Sequence, residues 1–321
     1  MLPVRVDGPD VRRLDHRGAA PVRGVVARPL KASSGTLVLC SPCASRAQAS
    51  ADWSHDRVQL RIGTLNLASG RDAAGRSVDA AALRAALAGL DVDVLAVQEV
   101  DAGQPRSAGL DQTAELAAAL GMPDWRYAAA VDGTPSPFRS WTPVDPPELR
   151  GPGEPVPGPR YGIALLSRRP VRRWSVLSLG AGRARLPIRA PDPRSGQVRT
   201  WWFPDEPRLA VAAELDGVTV VGTHLSFAPH TAGRQLLRLR RWAAALPGPV
   251  LLAGDLNLIG PLPARLARAQ RLAAAPTYPA HRPRVQFDHV LALSPVTAGP
   301  AEVRALAIGD HRGVVVPVTL S

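Results

Sequence analysis

The chain has 321 residues, 45% of them apolar, and carries a formal net charge of +12. No run of about 18 apolar residues occurs, so no helical membrane span is expected. The two cysteines, Cys40 and Cys43, form a lone C-x-x-C without the second pair of ligands that a structural zinc site needs.

Residues 1–57 show neither helical nor strand periodicity and are rich in Arg, Ala, Pro and Ser. They read as a disordered extension or as sequence outside the folded domain. The start has no apolar stretch of the secretory kind, so a cytoplasmic location is expected. The basic residues are scattered and, apart from Lys31, all are arginine. A polyanionic partner such as nucleic acid therefore fits the charge without being marked by a basic run.

The pattern changes at Val58. V-Q-L-R-I-G-T-L-N-L (58–67) alternates as a half-buried strand does. Asp79–Leu90 has helical spacing, with Leu83, Leu87 and Leu90 on one stripe. V-D-V-L-A-V-Q-E-V (92–100) is a second strand, and Gln112–Leu120 a helix stopped by Gly121. The Pro- and Gly-rich span 132–160 reads as a long loop without regular structure. Strands follow at 161–167 and 218–225, then an amphipathic helix over Thr231–Leu246 with Leu236, Leu239 and Trp242 inward. V-L-L-A-G-D-L-N-L (250–258) is a strand, and two more lie near 285–293 and 313–319. The span 180–207 is a second distinctive loop, with Arg183, Arg185, Arg189, Arg194 and Arg199 beside W-W-F.

Polar residues stand at the tips of these strands: Asn66, Glu99, His224, Asp255 with Asn257, Asp288 with His289, and Asp310 with His311. Each alone has an ordinary structural explanation. Together, in order, they describe one crevice fed by several strand ends. Asp255 and Asn257 are one residue apart, which on an extended chain places both side chains on one face.

The ordered set T-L-N-L, Q-E-V, Y-G-I-A-L-L-S-R, T-H-L, G-D-L-N, D-H-V-L, D-H-R resembles the endonuclease/exonuclease/phosphatase family over roughly 58–320. That family includes pancreatic-type deoxyribonucleases, AP endonucleases, sphingomyelinases and inositol polyphosphate 5-phosphatases. The resemblance implies an α/β (α+β) fold, a four-layer α/β/β/α sandwich of two packed mixed sheets. It implies hydrolysis of a phosphoester with Mg²⁺, or Mn²⁺ as a substitute, held by Glu99 with Asn66 in support and Asp310 nearby. By the same resemblance Asp255 orients or deprotonates water and Asn257 holds a phosphate oxygen. His311, its tautomer fixed by Asp288, acts as general acid/base or as an electrophilic partner. His224 contacts the phosphate or the leaving group, and Tyr161 supplies a hydroxyl to the phosphate. His289 is read as structural, and His55, His230 and His281 match no motif.

Two departures narrow the resemblance. Ala68 stands where AP endonucleases carry an acidic residue, and only 31 positions (257 to 288) separate Asn257 from Asp288. AP endonucleases are longer there, so AP-site specificity is not implied. The expected activity is a phosphodiesterase or nuclease on DNA or RNA. The alternatives are a phosphatase or phospholipase of the same fold, and an inactive binding module. Partners beyond the substrate and the oligomeric state are not encoded in any motif.

Overall fold

A computed structural model describes residues 59–137, 140–192 and 195–320. The expectations for residues 1–57, with Cys40 and Cys43, and for Arg194 lie outside the described residues. The chain starts with β1 (Gln59–Asn66), α1 (Ala80–Ala86), β2 (Val94–Ala102), α2 (Gln112–Leu120) and β3 (Asp124–Thr134). It continues with β4 (Ser140–Pro143), β5 (Leu149–Arg150), β6 (Arg160–Ser167), β7 (Arg173–Gly180), β8 (Arg185–Pro191), β9 (Val198–Pro204) and β10 (Arg208–Glu214). β11 (Thr219–His224), α3 (Pro229–Ala243), β12 (Val250–Asp255) and α4 (Leu262–Ala267) follow. The last strands are β13 (Gln270–Arg271), β14 (Asp288–Ala292), β15 (Thr297–Ala298), β16 (Glu302–Arg304) and β17 (Gly313–Thr319).

One mixed sheet has the order β15-β17-β1-β2-β6-β3-β4, with β16 on β17 and β5 on β3. The other runs β13-β14-β12-β11-β10-β7. The period-2 alternation of each strand divides its side chains between two cores. Leu60, Ile62, Leu251 and Ala253 meet between the sheets. Leu65 faces α1 and α2 through Leu83, Leu87, Leu116 and Leu120. Leu252 faces α3 and α4 through Leu236, Leu239 and Ala264. The layers are therefore α/β/β/α. Leu236 and Leu239 are fully buried, which contributes about 1.5–3 kcal/mol each.

The helix boundaries follow their caps. Asp79 accepts from Ala82 N at 2.8 Å and opens α1. Gly121 takes the left-handed conformation (φ 62°) that ends α2 where expected. α3 starts at Pro229, two residues before its expected start, because proline suits the first helical turn.

Three sequence expectations need correction. The span 132–160 is not structureless: its first residues finish β3, and β4 and β5 pair with that strand. The span 180–207 is not a loop but the β8–β9 hairpin, paired from Arg185–Pro204 to Pro191–Val198. β3 and β10 went unread because A-A-A and A-V-A-A carry little strand propensity. Among the described residues no helix is long and apolar enough to cross a membrane.

Candidate active site where the two sheets meet

β1 runs parallel to β2 and β11 parallel to β12, so each pair presents its C-terminal ends together. β14 is antiparallel to β12, and its first residue, Asp288, lies opposite Asp255. Asp288 thus opens its strand instead of closing one, yet reaches the same edge. Gly254 keeps β12 close to β11: a Cβ there would lie 2.1 Å from Thr223 O.

Two cross-sheet contacts join the edges. Asn66 at the end of β1 donates through Nδ2 to Glu99 Oε1 at 3.0 Å and to Asp255 Oδ2 at 3.1 Å. Its Oδ1 accepts from Ala68 N at 3.0 Å. Asn66 is buried and its donors are committed, so it acts as a brace for the two carboxylates. The second contact is His311 Nδ1 to Asp288 Oδ2 at 2.8 Å. His311 precedes β17 in the first sheet, while Asp288 belongs to the second. One donor atom each of Asp255, Asp288 and His311 lies within 4.8 Å of the others.

Glu99 does not end its strand. β2 continues to Ala102, and its pairing with β6 breaks between Val97 and Val100. Glu99 occupies that bulge with φ 55°, a conformation that costs about 1–3 kcal/mol. The surroundings impose it: Ser69 N donates to Glu99 O and Leu67 N to Gln98 O, both at 2.9 Å. Glu99 Oε2 has no partner among the described residues, and the side chain lines a cavity of about 650 Å³ with Arg106, Tyr161, Phe203, Glu206 and Asp310.

Asn257 corrects the extended-chain argument. It lies beyond β12 with φ 50°, so it does not share a face with Asp255 by strand alternation. Instead Asn257 N donates to Asp255 Oδ1 at 2.9 Å, closing an Asx turn. Its Nδ2 donates to Leu225 O at 2.9 Å. The two residues still meet, by a turn and not by a pleat.

The titratable groups are held in unlike states. Burial raises the Asp255 carboxyl to about 7, with the Asp288 charge adding to the effect. For His311, burial opposes the charged ring, but the hydrogen bond and charge of Asp288 outweigh it and raise the ring to about 10. Burial, then the Arg208 charge, lower His224 well below the usual imidazole value. His224 Nε2 and His311 Nδ1 each lie 3.8 Å from Asp255 Oδ2.

The remaining expected residues are also at this edge. Tyr161 is the second residue of β6, buried, beneath the Arg106 guanidinium at 5.4 Å; burial raises its hydroxyl. Asp310 is 61% exposed, with Oδ1 4.0 Å from His311 Nε2. His289 is buried away from the crevice, and its Nε2–H donates to Leu258 O at 2.9 Å. Sequence reasoning missed Glu206 and Arg208. Their stretch D-E-P-R stands directly before an apolar run, a strand-end cluster like the others but at the N-terminal side. Burial raises Glu206 to about 7.

An oxygen-only donor set suits a hard cation. Glu99 has a free oxygen on the cavity that Asp310 also lines, and the cations nearest to them are held by other carboxylates, Arg106 by Asp101 and His311 by Asp288. The residues present therefore fit a divalent metal at Glu99 and Asp310, braced by Asn66. His311 spends Nδ1 on Asp288, which makes the buried trio a hydrogen-bonded set in preference to a ligand set.

Comparison with known proteins gives the same grouping. The Endonuclease/Exonuclease/phosphatase family matches residues 63–311. A solved endonuclease/exonuclease/phosphatase from Beutenbergia cavernae DSM 12333 superposes with a TM-score of 0.56 at 21% identity, over 82% of this chain and 72% of that one. A family protein from Bacteroides thetaiotaomicron gives 0.55 at 12%, over 83% and 100%. The mannosyl-6-phosphatase of Bacteroides thetaiotaomicron VPI-5482 gives 0.50 at 12%, over 81% and 99%. At such identities the likeness is one of fold. No curated protein matches in sequence. With the family match extending over residues 63–311, the chain belongs to the endonuclease/exonuclease/phosphatase family, whose members are phosphoester hydrolases.

Proposed function

We propose that the protein is a divalent-metal-dependent phosphodiesterase that cleaves a nucleic-acid-like diester. The observation that carries the reading is Asn66, which hydrogen-bonds both Glu99 and Asp255 and so ties the cation-binding wall to the proton-accepting floor. Glu99, Asp310 and the Asn66 brace would hold Mg²⁺. When bound, the cation would offset charge on the phosphoryl oxygens.

The protein's own groups supply the rest. Asp255, raised to about 7, is matched to neutral pH as a base and takes the proton of the attacking water. His311, raised to about 10, stays charged at neutral pH. It is therefore better suited to hold a phosphate oxygen electrostatically than to give up its proton. Asp288 keeps that ring charged and oriented, and Asn257 stands beside the phosphate. A diester is favoured because the β8–β9 rim carries exposed Arg185 and Arg189 beside Trp202, 58% exposed. Arginines and an aromatic side chain together suit a phosphate backbone with bases.

The test is a panel of bis(p-nitrophenyl) phosphate, single-stranded oligonucleotide, plasmid and p-nitrophenyl phosphate, with Mg²⁺ and with EDTA. Diester cleavage that EDTA and Asp255→Ala abolish is expected. Turnover of the monoester alone would overturn it and favour a phosphatase. That second reading draws on the cavity of about 650 Å³, whose size suits a small phosphorylated molecule.

A further inference from the structure

The environment of His224 is unusual for a histidine at a phosphoryl site, because the group facing its inner nitrogen is a cation. Arg208 opens β10, enclosed by protein, and its Nη1 lies 3.0 Å from His224 Nδ1. A guanidinium can only donate. Nδ1 must then present its lone pair, and the ring proton sits on Nε2. Asn257 Nδ2 approaches Nε2 at 3.3 Å. That contact is longer and uncharged, and Asn257 already donates to Leu225 O at 2.9 Å. The charged 3.0 Å contact decides the tautomer.

We infer that Arg208 is a positioning residue that fixes His224 as a neutral Nε2–H donor, so that His224 serves the phosphate by hydrogen bonding and not by proton transfer. The inference rests on the hydrolytic reading and deepens it. The charged groups around the ring are few. Arg208 faces Nδ1 from β10. Asp255, 3.8 Å from Nε2, belongs to β12, and His311 acts from the approach to β17. Glu206 Oε2 holds the same Arg208 nitrogen from 3.4 Å. Of these four groups Arg208 and His311 are positive, and Glu206 meets Arg208 and not the ring, so protonating His224 would add a third cation in a buried space. The downward shift of His224 agrees with that geometry. Glu206 completes the device by keeping Arg208 in place, and Arg208 Nε makes no hydrogen bond that could compete.

The test separates tautomer from activity. Ring ¹⁵N spectra of the full chain, without substrate, are assigned to His224 by loss of its signals in His224→Gln. A neutral Nε2–H ring from pH 5.5 to 9 is expected. A ring protonated on Nδ1, or one that titrates near pH 6.5, overturns the inference while leaving the hydrolytic reading intact. Loss of hydrolysis in Asp255→Ala tests that reading separately. Two variants extend the test. Arg208→Lys, still a donor only, should keep kcat within about threefold. Arg208→Gln, whose carbonyl can accept, should lower kcat about tenfold and add an acidic limb to its pH profile. Equal losses in both, with unchanged pH profiles and ring spectra, would mean a merely structural Arg208. If Arg208→Gln does not fold, the wild-type spectrum alone decides.

Discussion

His311 and His224 flank Asp255 at equal distance, 3.8 Å from the same oxygen, yet they occupy opposite electrostatic corners. The inner nitrogen of His311 meets the Asp288 carboxylate at 2.8 Å, and that of His224 meets the Arg208 guanidinium at 3.0 Å. Both rings are buried, so desolvation pushes both toward the neutral form. The partner then decides: the anion raises His311 to about 10, and the cation drives His224 further down. One residue type yields a standing cation and a standing neutral donor a few ångströms apart. The role of each follows from the charge behind it, not from its place in a motif.

Asp255 is the point that both corners share, and its loss should have the largest effect. Asp255→Asn keeps the shape of the side chain and removes the proton acceptor. A fall in kcat of about 10⁴-fold on a chromogenic diester is expected, at the upper end for a positioned base. A loss below tenfold would mean that neither corner works through this carboxylate.

Asp288→Asn attacks the comparison directly, because it removes the charge that distinguishes the two rings. His311 would remain buried without its anion, and its pKa would fall from about 10 toward or below the ordinary imidazole value. Wild-type activity that depends on the charged ring is expected to persist to alkaline pH. In the variant the alkaline loss should move to near neutrality, with kcat at pH 7.5 down about 10³-fold. A pH–rate profile checks this, and an unmoved alkaline limb would separate His311 from catalysis.

The two corners were unequally legible. Asn66, Glu99, His224, Asp255, Asn257, Asp288 and His311 stand out because each interrupts an apolar run. The Asp288–His311 pair came with the family resemblance, and its chemistry is familiar, since a carboxylate commonly orients an imidazole. The Arg208–His224 pair did not. D-E-P-R lies next to the Arg-rich hairpin, and one arginine among many carries no local mark of burial. The bulge at Glu99 and the turn at Asn257 were hidden for another reason. The left-handed backbone at Glu99 is held by a tertiary hydrogen bond, its carbonyl accepting from Ser69 N, and that at Asn257 by a local Asx turn on Asp255 Oδ1, and an apolar strand pattern shows neither. The fold was read from alternation and helical stripes, which failed where alanine replaced branched residues in β3 and β10.

A third buried histidine sharpens the comparison because it has no hydrogen-bonded ion partner, and the Asp288 and Arg271 charges act on it in opposite senses. His289 has only the Leu258 carbonyl at Nε2, and its Nδ1 is unpartnered. Burial lowers it to about 4. Between pH 6.5 and 4 the unfolded chain therefore binds more protons at this residue than the folded one. Stability from His289 is complete above pH 6.5 and is lost as pH falls toward 4, by at most about 3 kcal/mol. Urea unfolding at pH 7, 5.5 and 4.5 should show this slope. In His289→Gln, which keeps a donor for Leu258 O, the slope should flatten; an identical slope would place the acid sensitivity elsewhere.

The smallest effect concerns the rim, where no buried charge is at stake. Trp202 is 58% exposed and points away from the face of the hairpin that carries Phe203 and Ile188 toward the cavity. Removing it opens no core void, so Trp202→Ala should change unfolding stability by less than about 0.5 kcal/mol. Its ring does, however, stand beside Arg185 and Arg189 on the outer face, since Pro187 pairs with Trp202 and strand residues two apart share a side. On an oligonucleotide this face can stack a base, an interaction of about 1–3 kcal/mol. A small chromogenic diester reaches only the floor. KM for the oligonucleotide should therefore rise about fivefold or more, a change of roughly 1 kcal/mol, while kcat and the kinetics on the small diester stay as they are. Equal KM shifts on both substrates would show that the rim acts through the floor, and an unchanged oligonucleotide KM would remove the hairpin from substrate recognition.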